Sequence, residues 1–89
     1  MVEYAVKHNI QMSFSYRDEE EKRVVDPIVV CFGENDMNDL LCWDPLKDSV
    51  CRYKLEDLSY IQLCDTIQTR GLPERKKEAY RNGTIQYEG

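Results

Sequence analysis

Four cysteines are the residues with which this chain could hold zinc or form disulfides. They lie at positions 31, 42, 51 and 64, with gaps of 11, 9 and 13 residues, whereas structural zinc uses closely spaced ligand pairs that a tight turn brings together. Each lies in an apolar stretch, where a free thiol behaves as a small hydrophobe. Since the N-terminus also lacks the features of a signal peptide, we predict reduced cysteines in or near the core, no metal and a cytoplasmic location.

Catalytic chemistry finds little support in the sequence. The single histidine, His8, lies in a segment with helical periodicity and has no nucleophile near it, so a surface or capping role is expected. The glycine-rich dinucleotide motif, the phosphate-binding loop and the zinc-protease motif are all absent. The carboxylates are numerous, but no spacing singles out an acid and base pair. The sequence therefore favours a protein that is not an enzyme and needs no cofactor.

Charge is distributed unevenly along the chain. The net charge of −5 disfavours tight non-specific binding to a phosphate backbone, because that affinity comes from cationic side chains that release counterions. Residues 66–89 nevertheless carry +2, against −7 for residues 1–65. Such a basic tail could contact an anion or another acidic surface. The charged run 17–22 predicts a solvated hairpin loop, with a metal-binding or partner-binding patch as the alternative.

Strand-like segments occupy most of residues 10–67 and would position these side chains. In the first, apolar residues from Ile10 to Tyr16 alternate with Gln11, Ser13 and Ser15, which predicts a strand buried on one face. Four more follow at 23–32, 40–44, 50–55 and 58–67, and Pro27 predicts an edge or a bulge. Because the connections are too short for parallel pairing, we expect five antiparallel strands in a small barrel.

Helices are predicted at both ends of this strand region. Residues 2–9 have one apolar stripe, with Asn9 as a stop, and residues 73–82 have Pro73 at the first helical position and Asn82-Gly83 as the stop. Residues 84–87 are predicted to add to a sheet edge or to remain loose. No apolar stretch approaches the roughly 18 residues of a membrane-spanning helix. We expect a barrel domain over 1–67, and a helix and tail over 68–89 that pack on it or extend from it.

Four blocks of the strand region follow one another in a familiar order. They are residues 4–16, a helix and a strand ending in tyrosine; Arg23-Val24-Val25-Asp26-Pro27; residues 38–44, with Asn38-Asp39-Leu40 followed by Trp43; and residues 52–58, an arginine-bearing strand and turn. Together they resemble the WYL domain, a Sm-like, SH3-type β-barrel found mostly in bacterial and phage transcriptional regulators. Asn38-Asp39-Leu40 occupies the place of the Trp-Tyr-Leu signature. The resemblance covers about residues 2–65.

This resemblance implies a barrel whose polar and basic side chains bind nucleic acid or a nucleotide-like ligand. By position it points to Tyr16, Arg23 and Arg52, with Lys54 on the same strand face as Arg52. Trp43, which lies near the signature position, is a further candidate as a stacking platform, with a core position or an assembly surface as its alternative. An arginine fork binds phosphate in a bidentate way, and an aromatic ring stacks on bases. Each residue also has a structural alternative: a strand-end tyrosine, an arginine neutralising Asp26 or the acidic loop, a soluble strand face, or a core tryptophan.

Two functions therefore stay open at the level of sequence. The first is a stand-alone, WYL-like regulatory module that senses a nucleotide or a single-stranded nucleic-acid fragment through its basic residues. The second is a protein-interaction or assembly barrel, with phage origin as one option, that binds a protein partner or forms a homodimer through its strand edges. Arg23 and the order of the blocks favour the first function. The missing signature aromatics and the negative net charge favour the second.

Overall fold

The computed structural model describes residues 1–17 and 19–87, and it is mainly β. Five strands and two helices follow one another along the chain: α1 (Val2–His8), β1 (Met12–Tyr16), β2 (Arg23–Cys31), β3 (Asp39–Asp44), β4 (Ser49–Lys54), β5 (Leu58–Leu63) and α2 (Glu74–Arg81). The predicted mainly β fold with a helix at each end is thus confirmed. The last two residues of the predicted C-terminal tail, 88 and 89, lie outside the described residues.

All five strands belong to one antiparallel sheet, in the order β4-β3-β2-β1-β5. A single 3₁₀ turn, Leu55–Asp57, joins the two edge strands β4 and β5. No ladder pairs these two strands with each other in the part of the chain that the structure describes. The sheet therefore has the strand number and direction expected for a small barrel, but it is open along this seam.

Strand β2 exchanges partners halfway along its length. Residues 23–25 pair with β1, whereas residues from Asp26 to Cys31 pair with β3, and the register shifts between Pro27 and Val29. Proline has no amide hydrogen to give to a ladder, so a bulge beside it relieves the missing bond. The bulge predicted from Pro27 is confirmed.

Strand β1 is buried on both faces, so the prediction of a half-buried strand was wrong. Met12 and Phe14 are fully buried on one face, as expected, but Gln11, Ser13 and Ser15 are only 7–8% exposed. For Gln11 the cover is the chain that follows β5, because its side chain bonds to the backbone of residues 68 and 69. A second layer thus lies where alternation alone predicted solvent.

The main core lies between α1 and the inner face of the sheet. Its fully buried members include Phe14, Val25 and Leu40 from three neighbouring strands, and α1 adds Ala5. Burying each large apolar side chain stabilises the fold by about 1.5–3 kcal/mol. Helix α1 ends as predicted at Asn9, whose φ of 53° is the left-handed conformation typical of helix ends.

The C-terminal region forms the second layer. Helix α2 contacts β2, and Arg81 donates a hydrogen bond of 2.8 Å to the carbonyl oxygen of Ile28. Pro73 precedes the helix as its N-cap instead of taking the first helical position, and Gly83, at φ 84°, follows its end. Residues 84–87 join no strand of the sheet. None of the described helices combines the length and apolar character needed to span a membrane.

Candidate ligand-binding site

The residues that the resemblance singles out lie on two opposite faces of the sheet. Directly paired residues of a ladder share a face, so Leu40 and Tyr53 point together into the core, whereas Trp43 and Val50 point together to the other side. Arg52 and Lys54 belong to this outer face, because they flank Tyr53 along β4. Tyr16 and Arg23 instead lie beside the Tyr53 ring. The centroids of the Tyr16 and Tyr53 rings are 4.8 Å apart, and the guanidinium carbon of Arg23 is 5.8 Å from the Tyr53 centroid.

A buried polar network surrounds Asp44, which is fully buried. Its Oδ2 accepts hydrogen bonds from the Tyr53 hydroxyl at 2.7 Å and from Nη1 of Arg23 at 3.3 Å, while its Oδ1 accepts from the Leu46 amide at 3.0 Å. Nη2 of Arg23 donates to Oε2 of Glu19 at 3.1 Å. The Arg23 fork is thus shared between two carboxylates of the protein, one of which belongs to the acidic loop, as one structural alternative anticipated.

Electrostatics fixes the protonation states in this network. Burial and the hydrogen bond to Asp44 raise the pKa of Tyr53 far above its ordinary value, so its hydroxyl remains a donor. Burial works against the charge of Arg23, but the Glu19 and Asp44 carboxylates beside it outweigh that effect and raise its pKa. Arg23 is therefore a permanent cation with its charge already compensated. Its Nε atom is buried and finds no hydrogen-bond partner among the described residues.

Arg23 and Arg52 do not converge on a common site. Nε of Arg52 forms an ion pair of 2.8 Å with Oδ2 of Asp39 on the outer face of the β3–β4 hairpin, where the Arg52 side chain is 46% exposed. Lys54 is also exposed there. Of the five residues predicted from the sequence, the fold thus places Tyr16 and Arg23 together on the inner side of the sheet. The other three, Trp43, Arg52 and Lys54, lie on the outer side.

A groove of about 410 Å³ opens on the outer side, between the β3–β4 hairpin and the chain that leads into α2. Trp43 is the only residue among the five predicted ones that lines it. The hairpin contributes Trp43, Pro45 and Asp48, and the C-terminal chain contributes Arg70, Gly71, Leu72, Pro73 and Lys76. Sequence reasoning missed Arg70 and Lys76 as site residues. The +2 charge of residues 66–89 was the signal that could have found them.

The groove combines an aromatic wall with an excess of positive charge. The Trp43 side chain is partly buried, and Arg70 and Lys76 are exposed. Within residues 1–17 and 19–87, neither cation forms an ion pair, and Asp48 is the one carboxylate that lines the groove. An indole ring can stack on a planar group, and two cations can hold a phosphate. The volume lies within the range of small-molecule sites.

Two buried side chains of the sheet layer hold the cationic wall of this groove in place. We call residues 68–81 the C-terminal strap. Oε1 of Gln11 accepts from the amides of Gln68 and Thr69 at 2.8 and 3.2 Å, and its Nε2 donates to the Thr69 carbonyl oxygen at 2.7 Å. Asp26 accepts from the Leu72 amide at 2.8 Å and from Nζ of Lys77 at 2.6 Å. Sequence reasoning assigned neither Gln11 nor Lys77 to a site.

A second cavity, of about 350 Å³, lies on the other side of the strap, where Gln11, Asp26 and Lys77 line it. The polar atoms of these three side chains are already engaged with one another or with the strap. Asp65 and Thr66 also line this cavity, but Lys77, the one cation among its described lining residues, is paired with Asp26, so the cavity offers no unpaired cation to an anionic ligand. In the chain as described, no three metal-ligating side chains come together. The four cysteines are free, as predicted, and burial raises the pKa of the Cys42 thiol well above its ordinary value.

Comparison with known proteins gives no relative from which a function could be transferred. No protein-family model matches the chain, and no curated protein matches it either. The function is therefore inferred from the residues and their geometry.

Proposed function

We propose that this chain is a non-enzymatic, WYL-like regulatory module that binds a nucleotide or a nucleotide-sized fragment in the outer groove. The observation that carries the proposal is the convergence of Trp43, Arg70 and Lys76 on one cavity of about 410 Å³. The five antiparallel strands that the family resemblance implies support the assignment. The arginine chosen from the resemblance, Arg23, has no role in binding under this proposal.

The charge of the molecule favours a small anion over a long polynucleotide. With a net charge of −5, the protein as a whole repels an extended phosphate backbone, whose binding needs many cationic contacts. Arg70 and Lys76 create a local positive region, and such a region suffices for one phosphate group or two. The ligand class is therefore a phosphorylated compound of about nucleotide size.

The aromatic wall favours a ligand that also carries a planar ring. Stacking of one base on an aromatic side chain is worth about 1–3 kcal/mol and depends little on which base is present. Asp48 lines the same groove, and its carboxylate can accept hydrogen bonds from sugar hydroxyls. A ring, a sugar and a phosphate thus each find a suitable group in the groove.

Trp43 offers a direct test, because it is the only tryptophan of the chain. We expect AMP and UMP to quench its fluorescence in a saturable way, with an apparent Kd that rises with salt. Each of the variants Arg70→Ala and Lys76→Ala should weaken binding about tenfold, as the loss of one charge-assisted hydrogen bond predicts. Arg75→Ala is the matched control, since it removes the same charge from an exposed position outside the groove.

Two results would contradict the proposal. One is the absence of any AMP or UMP binding at low salt; a stable homodimer or a captured protein partner would then favour the protein-interaction function. The other is an equal weakening by Arg75→Ala and Arg70→Ala, which would show that total charge matters and that the groove does not.

A further inference from the structure

The anchors of the C-terminal strap alternate along the chain with the residues that line the groove. Thr69, Leu72 and Lys77 are held by the sheet layer, whereas Arg70 and Lys76 line the groove between these anchors. The two groove cations make no ion pair of their own among the described residues. Gln11 and Asp26 hold the strap on either side of Arg70, and at its far end Arg81 donates to the Ile28 carbonyl oxygen and to Oδ1 of Asn9.

Polar contacts do most to keep the strap docked: none of its apolar residues is fully buried, although Leu72, Ala79 and Tyr80 are partly buried. The only buried residue of α2 is Lys77, at 5% exposure, and Ile67, just before the strap, is 84% exposed. Segments with few buried apolar contacts open locally at a small fraction of the global unfolding free energy. When the strap opens, Lys77 and Asp26 both reach water, so no charge is left buried without a partner.

The close approach of the strap to Asp26 depends on Gly71. A Cβ atom at position 71 would overlap the Asp26 carboxylate and would lie 3.6 Å from Nε2 of Gln11. A side chain at this position would push the strap away from Asp26, whereas its distance from Gln11 is that of an ordinary van der Waals contact. Position 71 also lines the groove itself, so the anchor and the ligand site meet at one residue.

We propose that the strap is a ligand-closed clasp, with Asp26 and Gln11 as the positioning residues of the groove. The inference rests on the proposed function, because the ligand must touch both the hairpin and the strap. A ligand that binds only the docked state lowers the opening equilibrium by the factor 1 + [L]/Kd. The strap is therefore docked when the groove is occupied and opens more often when the groove is empty. An effector protein can detect this change.

Limited trypsin digestion under native conditions tests the clasp, since the strap carries cleavage sites at Arg70, Arg75, Lys76, Lys77 and Arg81. Without ligand, we expect Asp26→Asn and Gly71→Ala to accelerate cleavage in the strap at least tenfold. In the parent chain, AMP at 100 times its Kd should slow this cleavage by about 100-fold, because cleavage follows the open population when opening is fast. Asp26→Asn should also bind AMP more weakly, although it leaves every groove-lining residue unchanged; the affinity test uses this variant, since Gly71 itself lines the groove.

Two further variants separate positioning from general destabilisation. The double variant Asp26→Asn with Lys77→Met removes the buried charges but keeps an acceptor for the Leu72 amide. It should restore most of the affinity, and most of the protection at the sites that both chains keep, Arg70, Arg75, Lys76 and Arg81. Val25→Ala weakens the core alone. It should expose strap and barrel sites to trypsin together, whereas the anchor variants expose the strap first.

The outcomes distinguish this inference from the proposed function. Parent-like cleavage of Asp26→Asn and Gly71→Ala would overturn the clasp whether or not a ligand binds. Faster strap cleavage with unchanged AMP affinity would overturn the coupling while leaving the groove intact as a binding site. Failure of AMP to bind the parent would overturn both the coupling and the proposed function. Faster cleavage of the variants would in that case show only that Asp26 holds the strap on the sheet.

Discussion

The network around Asp44 and the groove beside Trp43 use the same kinds of side chain to different ends. Each combines cations, an aromatic ring and a carboxylate. In the network, the guanidinium group of Arg23 binds both Asp44 and Glu19, and Tyr53 is only 3% exposed. In the groove, Arg70 and Lys76 are exposed cations beside a ring that faces an open cavity.

The difference teaches that residue type does not decide whether an arginine is available to a ligand. Tyr16 and Arg23 are residues to which the WYL resemblance points, yet their polar and aromatic surfaces are engaged within the molecule. Arg70 matches no motif, yet its donors are not taken up by an ion pair with a described residue. The first region is built to hold the protein together, and the second is suited to hold something else.

The largest expected effect is that of Asp44→Ala. This change leaves Arg23 without its buried carboxylate and the Tyr53 hydroxyl without its acceptor, so the free energy of unfolding should fall by about 3–5 kcal/mol. Urea denaturation followed by circular dichroism measures it. Asp48→Asn is the control from the groove: it removes a carboxylate but keeps a residue that tolerates the left-handed φ of 48° at this position, so it should change the free energy of unfolding by less than about 0.5 kcal/mol. Equal effects of the two changes would erase the distinction between the regions.

A smaller effect is expected for Arg23→Met, which tests the two regions against each other. Loss of the guanidinium leaves Asp44 with two of its donors, so we expect a destabilisation of about 1–3 kcal/mol. The affinity for AMP should stay within about twofold of the parent, because Arg23 lies on the opposite side of the sheet from Trp43. If Arg23→Met instead lost AMP binding while remaining folded, the ligand site would have to be placed where the family resemblance puts it.

The smallest effect concerns Glu74, which forms a surface ion pair with Arg81 within the strap. The hydrogen bond from Arg81 lowers the pKa of Glu74 below its ordinary value of 4.5, so this pair adds stability above that pH and loses it as the pH falls through the lowered pKa. Because the Glu74 side chain is 52% exposed, solvent screening limits the contribution to about 0.5 kcal/mol or less.

Strap cleavage by a protease active in mild acid measures this contribution. Cleavage should rise slightly between about pH 5 and pH 3, and Glu74→Gln should remove that rise. Glu56→Gln, which changes an exposed carboxylate outside the strap, is the control. A loss of protection as large as that caused by Asp26→Asn would show that surface pairs anchor the strap.

Local chemistry made much of the fold predictable. Asn9 ends α1 in the left-handed conformation, Pro27 marks the bulge, and the short connections require antiparallel strands. The burial of Gln11 and Lys77 was not predictable in the same way. Their partners are 58 and 51 residues away in the sequence. In addition, the alternating pattern around Gln11 predicts that this side chain faces solvent, because the pattern does not show the second layer that covers it.

The same distinction applies to the candidate site. Trp43 was named by its place in a motif, whereas Arg70 and Lys76 entered only as contributors to the charge of the tail. Which cations remain unpaired depends on tertiary contacts: Arg52 meets Asp39 across the hairpin, and Lys77 meets Asp26 beneath the strap. Neighbouring basic residues can therefore differ in exposure and pairing: Lys76 is exposed and lines the groove, whereas Lys77 is buried and paired with Asp26.

The pairing of β1 with β5 has a consequence for the order of folding. The β2–β3 and β3–β4 hairpins join residues that are near in sequence, whereas the contact between Ser15 and Ser59 must close a separation of 44 residues. Contacts of long separation cost more chain entropy and tend to form late. Gln11 adjoins β1, and its carbonyl oxygen accepts the amide of Cys64; because its side chain bonds to a strap residue 58 positions away, we expect the strap to dock after β5 has paired with β1. The groove is then the last part of the molecule to mature, and a partially folded chain would have its hairpins but no binding site.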